Sequence, residues 1–352
     1  MSTSMFHDLF QLTSLTIGLC QGSLFLQGSP AGNEPAAPAV RAPDRRRLAR
    51  SGRSLAPAAF ANGSFTEGSH TAAGRTLAYK LYVPPRVGKR YAGLVVMLHG
   101  CSQDPDDFAR GTGMNALARQ HGFCVLYPAQ SSDGHVSRCW SWFKHNHQRR
   151  GSGEPAVIAG MTEAILLQHR IDRRNVFIAG MSAGGAMAAT VAAEYPDVFA
   201  AAAVHSGLPH GAARDAGAAL SAMFSGRCEP LPGDGLTAAV PTIVFHGDQD
   251  QTVHPSNGER VIAAALACHC GVCAERSPQV QAGTAGANGR RYTRFIYTGC
   301  NGAVRGEHWL VHGAGHAWSG GRADGSYTDA DGPDATAEML RFFMAHPRVA
   351  LS

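Results

Sequence analysis

Charge is scarce in this chain: 16% of its 352 residues are Asp, Glu, Lys or Arg, against 44% hydrophobic. That balance excludes a disordered polymer, which has too little apolar surface to bury. Long uninterrupted apolar runs are also missing. The N-terminal stretch "LFQLTSLTIGLCQGSLFLQG" is broken by Gln11, Gln21 and Gln27, which leaves it too polar for a good membrane span. No Lys or Arg precedes it, so the positive region that opens a secretory signal is not there, and no small residue closes a lipoprotein-type signal before Cys20. The expectation is a poorly ordered or weakly helical leader. Nine cysteines, many for a cytosolic enzyme, pull the other way. Internal repeats, heptads and an H-E-x-x-H metal helix are absent as well.

The formal charge of +5 is confined to one place. Residues 41–53, "RAPDRRRLARSGR", hold six Arg and one Asp, so the remainder is near neutral and lacks the basic footprint of a nucleic-acid binder. Residues 28–58 are rich in Ala, Pro and Arg without periodicity and read as an arm, giving a leader and arm over 1–58 and a single folded domain over 59–348. The arm is expected to stay solvated or to dock weakly on an anionic surface. No transmembrane segment is expected.

From residue 60 the pattern changes. "RTLAYKLYVP" alternates as a half-buried strand, and "GLVVMLHG", "FCVLYP", "NVFIAG", "FAAAAVHSG" and "PTIVFHG" are short apolar runs closed by Gly, Pro or a turn. Helical stretches at 114–121, 154–169 and 183–195 lie between them. Strands alternating with helices predict an α/β fold, a mostly parallel central sheet with helices on both faces and ligands at the strand ends.

After "NVFIAG" comes Gly180-Met181-Ser182-Ala183-Gly184, a serine on a tight turn between a strand and a helix. Such a turn projects the hydroxyl over the sheet, while the glycines let strand and helix close up. A phosphate-cradling reading is poor, because Ser182 stands where a dinucleotide fingerprint has its second glycine. A serine hydroxyl becomes a nucleophile once a histidine takes its proton and a carboxylate orients that histidine. In this fold class the order is Ser, acid, His. "VHGAGHAWSGG" supplies His316, with His312 as competitor. "PTIVFHGDQDQTVHP" supplies the acid, but spacing does not decide between Asp248 and Asp250. A metal shared by Asp248 and Asp250, with help from His246 or His254, is the alternative for that stretch.

These segments carry a resemblance. From about 70 to 345, "LVVMLHGCSQDPDDFA", "GFCVLYPAQ", "CWSWF", "GEPAVIAGM", "VFIAGMSAGGAMAA", "HSGLPHGAA", "HGDQDQTVHPSN", "GHAWSGG" and "DGPDATAEMLRFF" resemble the esterases of the poly(3-hydroxybutyrate) depolymerase family, related to feruloyl and acetylxylan esterases. The resemblance implies an α/β-hydrolase fold and serine carboxylic-ester hydrolysis without a cofactor or metal. It assigns Ser182 as nucleophile, Asp250 as acid and His316 as base, with Asp248 left as a turn residue. The backbone N–H groups of Cys101 and Ala183 become the oxyanion hole, and a Cys101–Cys139 disulfide is expected to fix the oxyanion loop. Trp140, Trp142 and Trp318 are candidate substrate contacts, with core anchoring as their other role. "CHCGVC" (Cys268, Cys270, Cys273) lacks a matched second half and reads as a surface insertion rather than a metal cluster.

The expected partner is an ester, a short hydroxyalkanoate polyester or oligomer, with feruloyl or acetyl esters as the alternative. Acyl transfer to an alcohol, or a catalytically silent binding protein on the same scaffold, are the remaining readings. The resemblance suggests an extracellular location and the leader does not, so an intracellular one stays open.

Overall fold

The computed structural model describes residues 63–348, except 87, 89, 133–134, 228–238, 268–276, 286–288 and 300–301. The leader, the Arg-rich arm and Cys268, Cys270, Cys273 and Cys300 therefore lie outside the described residues.

Ten strands form one sheet: β1 (Ser64–Ala72), β2 (Arg75–Val83), β3 (Gly93–Leu98), β4 (Phe123–Ala129), β5 (Val176–Met181), β6 (Ala201–His205), β7 (Thr242–Gly247), β8 (Gln279–Thr284), β9 (Arg291–Thr298) and β10 (Val304–Val311). Their spatial order is β1-β2-β4-β3-β5-β6-β7-β10-β9-β8. The run β4-β3-β5-β6-β7-β10 is parallel throughout. Antiparallel pairs extend it on both sides, β1 and β2 on one flank and β9 and β8 on the other. A two-stranded pair, β11 (Trp318–Ser319) with β12 (Thr328–Asp329), lies beyond β10.

Burial explains why the central strands read as continuous apolar runs. Every residue of β3, β5, β6 and β7 is buried. In β3, Leu94, Val96 and Leu98 face one core with helices α3 (Gly153–His169) and α4 (Ala183–Glu194). Val95 and Met97 face the opposite core, with α1 (Pro105–Thr112), α2 (Met114–His121) and α7 (Ala335–Ala345). Each such side chain contributes about 1.5–3 kcal/mol of burial, so the sheet is held from both sides. Helix α5 (Ala216–Ser225) joins the first core, and α6 (Ser256–Ala267) covers β6 and β7 through Val261 and Ile262.

The helices expected at 114–121, 154–169 and 183–195 are present with ends moved by one residue at most. Helix α1 is not among the expected ones, although Asp104 caps it by accepting from Asp107 N at 2.9 Å and Pro105 opens it. The β8–β9 hairpin is also an addition to the sequence reading. Strand β8 is exposed along nearly its whole length and held by pairing, so it carries no hydrophobic alternation to read.

Candidate active site

The parallel strands end on one edge, and the candidate residues stand on the loops there. Ser182 sits between β5 and α4 with φ 56° and ψ −123°. A non-glycine residue in that conformation is strained by about 1–3 kcal/mol, and the turn is tight enough to enforce it. A Cβ on Gly180 would lie 2.2 Å from Gly184 O, and one on Gly184 would lie 2.2 Å from Leu98 O. The two glycines let the start of α4 press against the ends of β5 and β3. In the loop after β3, a Cβ on Gly100 would lie 3.6 Å from Ser182 Cβ, so that loop runs alongside the serine.

Asp250 stands on the loop after β7 and His316 on the loop after β10. His316 Nδ1–H donates to Asp250 Oδ2 at 2.7 Å, and the Asp250 side chain is fully buried. Its other oxygen accepts from Thr252 N and Val253 N, both at 2.9 Å. Burial alone would raise the Asp250 pKa. The hydrogen bonds from the imidazoles of His246 and His316 overcome this and hold the carboxyl well below its ordinary range. His246 is fully buried beneath the turn, donating from Nε2 to Val253 O at 2.8 Å and lying 3.5 Å from Asp250 Oδ2.

With Nδ1–H committed to Asp250, Nε2 of His316 keeps a lone pair to accept a proton. The chain after His316 turns back across the sheet: Ser319 N donates to His205 Nε2 at 2.9 Å, and His205 ends β6. Strand β6 lies between β5 and β7, so the His316 loop is anchored over the gap between Ser182 and Asp250. Burial lowers His205 to about 3, keeping it neutral as that acceptor role requires. No hydrogen bond joins Ser182 Oγ to His316 among the described residues. Contacts of this kind are often long in free enzymes and tighten as substrate enters.

Two backbone N–H groups belong to neighbours of Ser182: Ala183 follows it in the chain, and Cys101 follows Gly100, which runs alongside it. Ala183 N is the first N–H of α4, which the helix itself leaves unpaired. Cys101 N follows Gly100, whose own N donates to Gln103 Oε1 at 2.9 Å and whose carbonyl accepts from His99 Nδ1 at 2.8 Å. His99 Nε2 accepts from Gln130 N at 3.1 Å, and burial lowers its pKa to about 4. Cys101 is joined to Cys139 by a disulfide with a Cα–Cα distance of 4.3 Å. Behind it, buried Glu154 accepts from Gln130 Nε2 at 2.6 Å and Ser141 N at 2.8 Å. His99, Gln103, Gln130 and Glu154 thus grip the loop. All four lie in segments that carry the family resemblance, but their roles depend on contacts between distant segments that spacing does not reveal.

The three tryptophans correct an expectation. Trp140 and Trp318 are 0% and 1% exposed, and Trp142 is 5% exposed. The Trp140 indole donates to His99 O at 3.0 Å and that of Trp318 to Thr336 Oγ1 at 3.0 Å. Trp142 packs edge-on against Phe143 at 5.6 Å. All three are core anchors with almost no surface to offer a substrate. Asp248 is also more than a turn residue, since it accepts from His312 Nδ1 at 2.9 Å. His254 pairs with Ser256 Oγ instead, and among the described residues no three His, Cys, Asp or Glu side chains gather closely enough to hold a metal ion.

A sheet of this order, a strained serine between a strand and a helix, and a histidine–carboxylate pair on later loops define the α/β-hydrolase class. The likeness to a solved acetyl xylan esterase from Aspergillus awamori agrees on the fold, with a TM-score of 0.64 at 21% identity over 80% of this chain and 100% of that one. Within the class, the sequence pattern described as esterase PHB depolymerase matches residues 77–276, and the chain belongs to that family. It is 33% identical over 235 residues to poly(3-hydroxyalkanoate) depolymerase C of Paucimonas lemoignei, covering 64% of this chain and 55% of that protein. It is 31% identical over 200 residues to feruloyl esterase B of Thermothelomyces thermophilus, covering 52% of this chain and 67% of that protein. Acetylxylan esterase A of Talaromyces purpureogenus is 31% identical over 205 residues, 53% of this chain and 51% of that one. The chain spans about half the length of the depolymerase and acetylxylan esterase relatives. Among the described residues no helix is long and apolar enough to cross a membrane.

Proposed function

We propose that this protein is a serine carboxylic-ester hydrolase acting through an acyl-enzyme. The observation that carries the reading is the buried Asp250–His316 pair, whose 2.7 Å bond fixes the tautomer a general base needs on the loop that returns toward Ser182. Ser182 Oγ attacks the ester carbonyl while His316 Nε2 takes its proton. The N–H groups of Ala183 and Cys101 receive the oxyanion. His316 then gives the proton to the leaving alkoxide, and water, activated by the same imidazole, hydrolyses the acyl-serine. Asp250 orients the imidazole and stabilises its protonated form.

The substrate we favour is a short hydroxyalkanoate ester or oligomer, in keeping with the name of the Paucimonas lemoignei relative. The experiment is turnover of 3-hydroxybutyrate oligomers beside p-nitrophenyl esters of graded length, acetylated xylan and feruloyl esters, with Ser182→Ala as the blank. Preference for the oligomers is expected. Preference for feruloyl or acetyl esters would move the substrate assignment, and no turnover above the blank would remove the enzyme reading altogether.

A further inference from the structure

The two residues that competed with Asp250 and His316 in the sequence form a pair of their own, and its position gives it work. Asp248 Oδ2 accepts from His312 Nδ1 at 2.9 Å, and Asp248 Oδ1 accepts from Gly313 N at 2.7 Å. On its far side, His312 Nε2 meets Thr293 Oγ1 at 2.8 Å. A hydroxyl, an imidazole and a carboxylate are thus strung from β9, across the loop after β10, to the loop after β7.

This chain is one rung of a ladder. Asp248 N donates to Val311 O at 3.1 Å and Gln249 N to Ala314 O at 3.0 Å. Asp250 then meets His316 at 2.7 Å. The loops touch directly, since a Cβ on Gly247 would lie 2.3 Å from Ala314 O. From the first rung to the last, the β7 loop advances two residues, Asp248 to Asp250. The β10 loop advances four, His312 to His316, and the surplus carries His316 out over the sheet. A side chain extended in this way is only as well aimed as the base of its loop. Asp248 grips that base through both carboxylate oxygens.

We propose that Asp248, His312 and Thr293 are positioning residues, a polar clip that sets the Asp250–His316 contact. This rests on the proposed roles of Ser182, His316 and Asp250 in ester hydrolysis. Displacement of a reacting group by about 1 Å can cost on the order of 100-fold in rate, so loosening the clip is expected to act on kcat rather than on substrate affinity.

The test compares Asp248→Asn and His312→Ala with the wild-type chain. The amide introduced by Asp248→Asn would still accept from Gly313 N through its oxygen, but its NH2 can only donate to His312 Nδ1, so the contact survives only with the His312 proton moved to Nε2 and without the carboxylate charge; His312→Ala removes it outright. For p-nitrophenyl acetate, kcat is expected to fall about 10- to 100-fold with KM changed less than about twofold. Thr293→Val gives a smaller loss, which Thr293→Ser, keeping the hydroxyl, does not. A second readout needs no turnover: the low-field proton resonance of His316 Nδ1–H, identified by its disappearance in His316→Ala. It is expected to broaden by solvent exchange in both clip variants. An unchanged resonance in both variants overturns the proposal, whether or not their Tm falls, because the clip would then be structural only. Absence of ester turnover in the wild type would sink the proposed function, while the resonance alone would still decide on the clip.

Discussion

Replacing Asp250 with Asn changes one atom and should reverse a tautomer. In the wild-type chain Oδ1 accepts two backbone N–H groups, from Thr252 and Val253, and Oδ2 accepts from His316 Nδ1. An amide at this position keeps its oxygen on the backbone donors, since turning it over would strand two buried N–H groups at about 1–3 kcal/mol each. Its NH2 then faces His316 Nδ1, which must become an acceptor, moving the imidazole proton to Nε2. That nitrogen can no longer take the Ser182 proton. The cost of such a tautomer swap in a Ser-His-Asp protease is about 10⁴ in kcat, or roughly 5.5 kcal/mol of transition-state stabilisation. We expect a loss of three to four orders of magnitude in kcat for p-nitrophenyl acetate with KM little changed, because the substitution does not touch the substrate. Steady-state kinetics with Tm measured alongside provides the assay. An Asp250→Asn variant within about tenfold of wild type would refute the reasoning, since the carboxylate would then not be setting the tautomer.

Three further outcomes follow from other parts of the structure. The Cys101–Cys139 disulfide closes a loop with a sequence separation of 38. Chain entropy puts its contribution at about 4 kcal/mol, so Cys139→Ser should lower both Tm and kcat, and a variant unchanged in both would mean that the bond holds nothing in place. The buried, neutral His205, His99 and His308 are lowered by burial to about 3, 4 and 4. The unfolded chain takes up their protons below about pH 6.5 and the folded chain does not, so stability falls as pH drops from about 6 toward 4, by about 1.4 kcal/mol per pH unit for each. Asp250 adds to the loss below its unfolded value of 3.8; an unfolding midpoint in urea that stays constant from pH 7 to 4 would contradict this. Gly184→Ala places a Cβ 2.2 Å from Leu98 O, an overpacking expected to cost about 1–3 kcal/mol, and a variant with wild-type Tm would show that the turn at Ser182 tolerates more than its geometry allows.

What the sequence made legible was whatever local pattern controls. The central strands announce themselves because both of their faces are buried, and Ser182 stands out because only a tight strand-to-helix turn needs glycines two residues to either side. Contacts between distant segments were not legible. Trp140 and Trp142 lie in a segment without regular structure, yet their rings are covered, and an exposed aromatic in such a loop would have looked the same. Spacing left Asp248 and Asp250 undecided for a physical reason: each accepts from a histidine of the β10 loop, one at its base and one at its tip. Only the resemblance separated them. The grip of Gln130 and Glu154 on the loop after β3 depends on that loop, the loop after β4 and the start of α3 meeting, which no local pattern encodes.

The most direct test of the central claim is covalent. A fluorophosphonate incubated with the native chain should attach to one serine, and peptide mass spectrometry should place the adduct on Ser182. Labelling should fall to background in Ser182→Ala and slow by orders of magnitude in His316→Ala and Asp250→Asn. A native chain that takes up no label, or carries it on another residue, would contradict the assignment of Ser182 as nucleophile.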